Sequence, residues 1–459
     1  MAHILCMTSG LTGILYASFE MVHQLEEAGH RVTYACPADV KSKVEANGIN
    51  YLQLAPTNFK PAPELPKFTG PLRKFKSVWY RLRHAAARQQ QAVNSLHMEA
   101  FEQTLDRLSP DLVLIDLELH DHLMTCVARR LPTLLLNQFF SVWRRPNFPS
   151  LTVDIIPGEG WRGSQAGIAL SWQKIRWQRW WLFFKARSIS LGLDRRSVLK
   201  KYAQKIGFPK AYIGEDHWPG PFLYRSLPVL NMATQAMEFP HAPPPYLHYI
   251  GAMVFTQRKS LRPDADLEQP LQALFQQKVA EQRSLIYCSV STLSKSDGHF
   301  LKRVVQAVAH RTDWLLILSL GGLKDVKTLG EIPENVYPFS WVPQLEVLAQ
   351  ADCAIVHGGV HSLNECIHFK VPMLVYSGKK SDQNGCAARV AYHGVGIRAD
   401  KDIDSAADIR ANLEHVLQED SFREKLEVMH GHYLADQKEQ RLLRMVEQSL
   451  GGSLDGKNP

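Results

Sequence analysis

Between Trp341 and Gln383 the chain gathers side chains suited to three parts of one ligand. The apolar run Ala354-Ile355-Val356 passes into His357-Gly358-Gly359, so a strand gives way to a tight glycine turn. Ser362 and Glu365 then fall in the opening turns of the next helix. The first N–H groups of a helix lack intrahelical acceptors and carry the positive end of its dipole. With Gly359 letting the backbone turn, and with the Ser362 hydroxyl and the imidazoles of His357 and His361 beside them, they form a cradle for a diphosphate. Upstream, Trp341-Val342-Pro343-Gln344 offers an aromatic face on which a base can stack. Downstream, Ser381-Asp382-Gln383 offers a carboxylate and an amide for sugar hydroxyls. Glu365 suits ribose hydroxyls, although Ser-x-x-Glu is equally a plain capping box. Taken alone, Trp341 reads as a core residue and His357 as a satisfied strand-end histidine.

These groups need a scaffold that ends its strands in one place. His3-Ile4-Leu5-Cys6-Met7 reads as a buried strand, residues 8–13 as a loop, and residues 17–28 as a helix stopped by Gly29. A strand over 31–35 completes a βαβ unit, hence a parallel sheet. A single helix over 89–108 leads through Pro110 into the strand Leu112-Val113-Leu114-Ile115, and Leu134-Leu135-Leu136 supplies another. The stretch 240–270 turns Pro-rich, with His241-Ala242-Pro243-Pro244-Pro245, before alternation restarts at Leu285-Ile286-Tyr287-Cys288-Ser289. A helix over 300–310 and strands over 315–318 and 354–356 repeat the logic. The expectation is an α/β protein of two facing Rossmann-like domains with a ligand in the cleft at their strand C-termini. The divisions are 1–240, a linker over 241–283, a second domain over 284–430, and a C-terminal helix and tail over 431–459.

The stretch from Trp341 to Gln383 closely resembles the donor-binding signature of UDP-glycosyltransferases, the family of plant secondary-metabolite, bacterial macrolide and carotenoid glycosyltransferases with the two-domain GT-B fold. That resemblance implies that Trp341 stacks on uracil and Val342 binds it through its backbone. It has Gln344 and Glu365 hold ribose, His357, His361 and Ser362 contact the diphosphate, and Asp382 and Gln383 hold the sugar. Domain 1–240 would bind the acceptor and 284–430 the nucleotide sugar. Ser289-Val290-Ser291-Thr292 resembles the family's Ser-x-Gly-Thr turn, which puts Thr292 near the phosphates. Three residues depart from the pattern: His361 stands for a usual Asn, Ser291 for Gly, and Lys370 for the Gly that precedes Val-Pro.

The family keeps its base, a histidine, in a Gly-His pair after the first strand. Counting back from Gly29-His30, that pair falls on Gly13-Ile14, and isoleucine cannot accept a proton. The usual Asp partner has its counterpart in Asp116, whose plain reading is a helix N-cap. Among the imidazoles that follow, His120 is the first choice to replace the base. Otherwise Asp116 or another carboxylate takes the proton, or the chain has lost chemistry and kept binding. The resemblance implies an inverting hexosyltransferase, with glucose favoured by Asp382-Gln383, that uses a UDP-sugar as co-substrate and needs neither a metal nor another cofactor. The alternative is a catalytically silent nucleotide-sugar-binding partner; an epimerase of similar architecture is disfavoured by the same block.

From Gly160 to Leu193 no acidic residue occurs, while six Lys and Arg interleave with Trp161, Trp172, Trp177, Trp180, Trp181, Phe183 and Phe184. Trp172, Ile175 and Phe183 share one helical spacing, and Trp177, Trp181 and Phe184 another. Trp with Lys and Arg is the composition of a helix lying among lipid headgroups, and the acid-free stretch 65–97 adds attraction to an anionic surface. The other readings are an aromatic-lined acceptor pocket and plain packing. Residues 1–250 hold 29 Lys and Arg against 19 Asp and Glu, so the anionic partner should face that half. A hydrophobic, hydroxylated acceptor follows; nothing resembles a nucleic-acid module. The seven cysteines show no metal-like or disulfide spacing, and the start lacks a signal-peptide pattern. The expected location is the cytoplasm, peripheral at the inner face of a membrane.

Overall fold

The computed structural model describes residues 1–56, 66, 69–214, 220–259, 267–289, 298–321 and 326–452. In the first domain, β1 (His3–Met7), β2 (Arg31–Cys36), β3 (Tyr51–Gln53), β4 (Leu112–Asp116), β5 (Thr133–Asn137), β6 (Val229–Asn231) and β7 (Leu247–Tyr249) form a parallel sheet. Its order is β3-β2-β1-β4-β5-β6-β7. The chain's helices in this half are α1 (Thr12–Glu27), α2 (Lys41–Ala46), α3 (Arg73–Arg83), α4 (Ala85–Asn94), α5 (Met98–Leu108), α6 (His120–Ala128), α7 (Gln165–Ser190) and α8 (Arg195–Lys205). The second sheet joins β8 (Ser284–Ser289), β9 (Trp314–Ser319), β10 (Val336–Phe339), β11 (Cys353–Val356), β12 (Met373–Tyr376) and β13 (Gly396–Ala399), in the order β10-β9-β8-β11-β12-β13. With it come α9 (Glu268–Ala280), α10 (Gly298–Val308), α11 (Gln344–Leu348), α12 (Val360–His368), α13 (Gln383–His393), α14 (Ala406–Gln418) and α15 (Asp420–Lys438). The final helix, α16 (Arg441–Leu450), returns to the first domain and packs Leu442, Met445 and Val446 with Ile4, Leu15 and Leu112.

The strands read as unbroken apolar runs because both sheet faces are covered. In β1, Leu5 and Met7 enter one core while Ile4 and Cys6 enter the other, as alternation of side chains along a strand requires. Strand order reverses between β1 and β4 in the first sheet and between β8 and β11 in the second. The loops there diverge to opposite faces and leave a crevice at the strand C-termini. The two-domain α/β expectation is met.

Several local expectations change. The single helix over 89–108 is two, α4 and α5, parted at Ser95, whose hydroxyl turns back onto Ala92 O, and His97, which adopts φ 51°. α1 starts at Thr12, so Gly13 and Ile14 lie in its first turn. The prolines at 243–245 do not mark a free linker: they precede the edge strand β7, where a missing N–H costs no ladder bond, and the stretch 241–283 also holds α9. The boundary at 430/431 falls inside α15. Between the domains, Arg389 of α13 donates through Nε (2.8 Å) and Nη2 (2.5 Å) to Glu238 Oε2, with both side chains 0% exposed. The Arg389 guanidinium lies over Phe140, Phe148 and Phe239, and Gly385 N–H donates to Leu151 O at 2.9 Å.

Candidate functional site

One wall of the crevice is built where β11 passes into α12. Gly358 takes φ +85°, and a Cβ there would lie 2.8 Å from Val375 Cγ1, so the turn demands glycine. A Cβ on Gly359 would meet His357 Nε2 at 2.8 Å. Gly359 is the N-cap of α12 and provides no side-chain cap, which leaves the first N–H groups of Val360, His361 and Ser362 to other acceptors. Ser362 is thus the third residue of the helix and Glu365 the sixth, so the capping-box reading fails. Glu365 instead accepts from Arg258 Nη1 at 2.6 Å and from Gln344 Nε2, while Gln344 Oε1 accepts from the Tyr287 hydroxyl at 3.2 Å. Trp341 lies half-buried in the turn between β10 and α11, with Val342 buried behind it. Trp341, Gln344, Glu365 and the start of α12, expected to meet base, ribose and diphosphate, therefore lie at one edge of the second sheet.

α13 brings Asp382 and Gln383 to the same place. Asp382 is its N-cap residue, and its buried carboxyl faces the backbone of Val360 at the start of α12. Burial pushes that carboxyl up to about 6. Gln383 follows, with Oε1 sealed and without a hydrogen-bond partner, and a Cβ on Gly378 would stand 2.6 Å from that oxygen. Thr292 and Ser291 lie outside the described residues.

The opposite wall comes from the first sheet. Asp116 ends β4, 1% exposed. Its Oδ2 accepts from Ser9 N–H (3.3 Å) and Gln138 Nε2 (3.4 Å), and its Oδ1 from Glu118 N–H (3.0 Å). It is not an N-cap: α6 starts at His120, with Leu119 as its cap residue. Burial, helped by the Glu118 charge, holds the Asp116 carboxyl up at about 7. Ile14 is 4% exposed. His120 is a different matter, and the expectation of a base there is corrected. Its ring is buried against Phe222, Nδ1 is hydrogen-bonded to the Tyr224 hydroxyl at 2.9 Å, and burial lowers it to about 3. The first turn of α6 rotates it into the first domain's core, a direction that spacing along the chain does not reveal. Asp121 and His122 pair with each other at 2.9 Å, also buried.

Sequence reasoning passed over two residues here. Half-exposed Glu118 sits in the turn after β4, and its charge reaches both Asp116 and, from the other domain, Asp382. Arg258, beyond the prolines, spans the domains by lying over the Tyr16 ring of α1 while holding Glu365 of α12. Two carboxylates two residues apart at a strand end were a usable signal for the first. Nothing local marked the second.

α7 divides the aromatic segment into two faces. Trp172 is buried and Phe183 lies between Arg179 and Arg196, whereas Trp177, Trp180, Trp181 and Phe184 are exposed. α3 repeats that outer spacing with exposed Phe75, Val78, Trp79 and Leu82, and Arg81 Nη2 donates to Ile189 O at 2.8 Å, linking α3 to the end of α7. A cavity of about 620 Å³ opens beside α4, α7 and α8, lined by Trp180, Phe183, Phe184, Arg187, Arg196 and Lys200 among others; none of its lining belongs to the donor block. No helix among the described residues is long and apolar enough to cross a membrane. Among them, too, no group of three or more His, Cys, Asp or Glu could hold a metal ion.

Residues 303–448 match the family described as erythromycin biosynthesis protein CIII-like, C-terminal domain. An uncharacterized UDP-glucosyltransferase, YdhE, of Bacillus subtilis is 33% identical over 33% of this chain and 37% of its own length. The oleandomycin glycosyltransferase of Streptomyces antibioticus is 23% identical over 86% of this chain and 78% of its own. The chain matches little more than a third of the length of the first curated relatives. Among solved structures, the glycosyltransferase of kitacinnamycin superposes with a TM-score of 0.65 at 21% identity, covering 98% of this chain and 99% of that one. The resemblance read from the donor block is therefore met: this is the GT-B fold, with a second domain akin in sequence to macrolide glycosyltransferases.

Proposed function

We propose that this chain is an inverting glycosyltransferase that moves a hexose, in our reading glucose, from a UDP-sugar to a hydroxyl of a lipophilic acceptor. The observation that carries the reading is the single crevice shared by Trp341, Gln344, Glu365, the start of α12 and Asp382-Gln383, with Asp116 ending a strand on the opposite wall. The names of its relatives support it. In this mechanism the α12 N–H groups hold the diphosphate, and charge developing on it in the transition state meets fixed donors. The acceptor oxygen attacks the anomeric carbon from the side away from the diphosphate. Its proton passes to Asp116, the carboxyl already poised near neutral.

The exposed faces of α3 and α7 support contact with an anionic membrane from which such an acceptor is drawn; their cations come without acidic neighbours on either helix. Mass spectrometry of a lipid extract incubated with protein and UDP-glucose or dTDP-glucose tests the whole reading. A product heavier by one hexose is expected. The competing reading, a silent nucleotide-sugar-binding partner, draws on the buried apolar Ile14 and the inward-turned His120. Tight donor binding with no nucleotide release across a panel of acceptors would decide for it.

A further inference from the structure

His361 is the second residue of α12, and its ring faces the other domain: a Cβ on Gly13, in the first turn of α1, would lie 3.5 Å from His361 Cδ2. Both ring nitrogens are sealed from solvent and neither has a hydrogen-bond partner. An orphaned polar atom in such a place is destabilising, and here there are two on one ring, at the helix start assigned to the diphosphate. An Asn, usual at this position by resemblance, would offer an amide that cannot change charge. An imidazole can.

We propose that His361 takes up a proton when the nucleotide sugar binds, and meets the departing diphosphate as an imidazolium. The inference rests on the donor-site reading. In the step it serves, the bond between the anomeric carbon and the diphosphate oxygen breaks with its electron pair on that oxygen, beside the cation. The acceptor's O–H proton leaves on the other side, towards the β4 wall, so the two ends of the displacement are served by different domains. The imidazole missing at position 14 is not replaced on the attacking side; one is placed on the leaving side.

The surroundings permit this switch. Burial alone lowers the free imidazole to about 4, so it is neutral at physiological pH until a charge arrives. The titratable and charged groups around it are Glu365 on its own helix, held by Arg258 and Gln344, and His357 ahead of it. From α13 comes Asp382, from α1 Tyr16, and from the turn after β4 Glu118, whose charge reaches Asp382. None of them shifts the His361 proton in the empty protein. A bound diphosphate would add the missing anion, and its esterified phosphates do not titrate near neutrality, so any proton taken up must come to the protein.

Calorimetry of UDP-glucose and dTDP-glucose binding at pH 6.5, in phosphate and in Tris buffer, reads that proton directly without an acceptor. The wild-type chain should take up about one proton per donor bound, and its affinity should fall up to tenfold per pH unit between the free value near 4 and the bound-state value, then level off above it. His361→Asn should lose the uptake and flatten the pH dependence; His361→Gln serves if the first variant folds poorly. Identical binding enthalpies in the two buffers, or undiminished uptake by both variants, overturn the proposal while leaving the donor site standing. If neither nucleotide sugar binds the wild-type chain, the donor reading itself fails and this inference with it.

Discussion

At the scale of the residue, the acid-base groups differ by how the fold buries them rather than by type. Asp116 and His120 are both almost wholly buried, yet one ends a strand at the crevice and the other turns into the core. Asp116→Asn should lower kcat by about 100-fold or more while UDP affinity stays within twofold, the pattern of a lost proton acceptor. Because the carboxyl titrates near 7, kcat/KM for the acceptor, measured with the donor saturating, should rise as pH climbs to about that value and then level off. The same group has a stability signature. Its folded value lies above the usual 3.8, so its stabilising contribution is present below about pH 4 and is lost as pH rises through about 7. Thermal melts should show Asp116→Asn more stable than wild type at pH 8 and no better at pH 4. His120→Ala should behave oppositely. Turnover per folded molecule should remain within about twofold, while about 1–3 kcal/mol of stability is lost with the Tyr224 partner, measured by urea unfolding. A large loss of turnover without loss of stability would restore His120 as a catalytic group.

At the scale of the element, α3 and α7, linked through Arg81 and Ile189 O, each present an outer apolar stripe although about 80 residues separate them in the chain. Each exposes four large apolar side chains at the i, i+3, i+4, i+7 spacing of a helical stripe, and each carries five cations and no acid. Trp177→Glu with Trp181→Glu on α7, or Trp79→Glu on α3, replaces only exposed side chains, so melting temperature should barely move. Flotation with vesicles containing an anionic phospholipid should nonetheless fall at least tenfold in either variant. Wild-type protein that stays behind at moderate salt, or variants that float as well as wild type, would remove the membrane from the proposal. The inner stripe of α7 is structural by contrast: Trp172 donates its indole N–H to Phe148 O at 2.8 Å.

At the scale of the whole molecule, the crevice exists because two domains are held face to face. The buried Arg389–Glu238 pair, α16 returning to the first domain, and Arg258 between Tyr16 and Glu365 all cross the division. Arg389→Met leaves Glu238 buried without its counter-charge and should cost about 3–5 kcal/mol; adding Glu238→Gln should recover part of that loss. Denaturant unfolding of the two single variants and the double variant gives the coupling. An Arg389→Met variant as stable as wild type would show that the pair does not tie the domains.

Fold class and the strand-turn-helix frame of the candidate donor site were legible in the sequence because both are local. Strands buried on two faces must be runs of apolar residues, and the candidate cradle is a strand, a glycine turn and a helix start within ten residues, Val356 to Glu365. The direction of His120, the pairing of Glu365 with Arg258, the meeting of His361 with Gly13 and the membership of α16 in the first domain were not legible. Each depends on how a helix is rotated or on which distant segment packs against it. Spacing along a chain specifies which residues share a helix face, but only packing decides what that face meets.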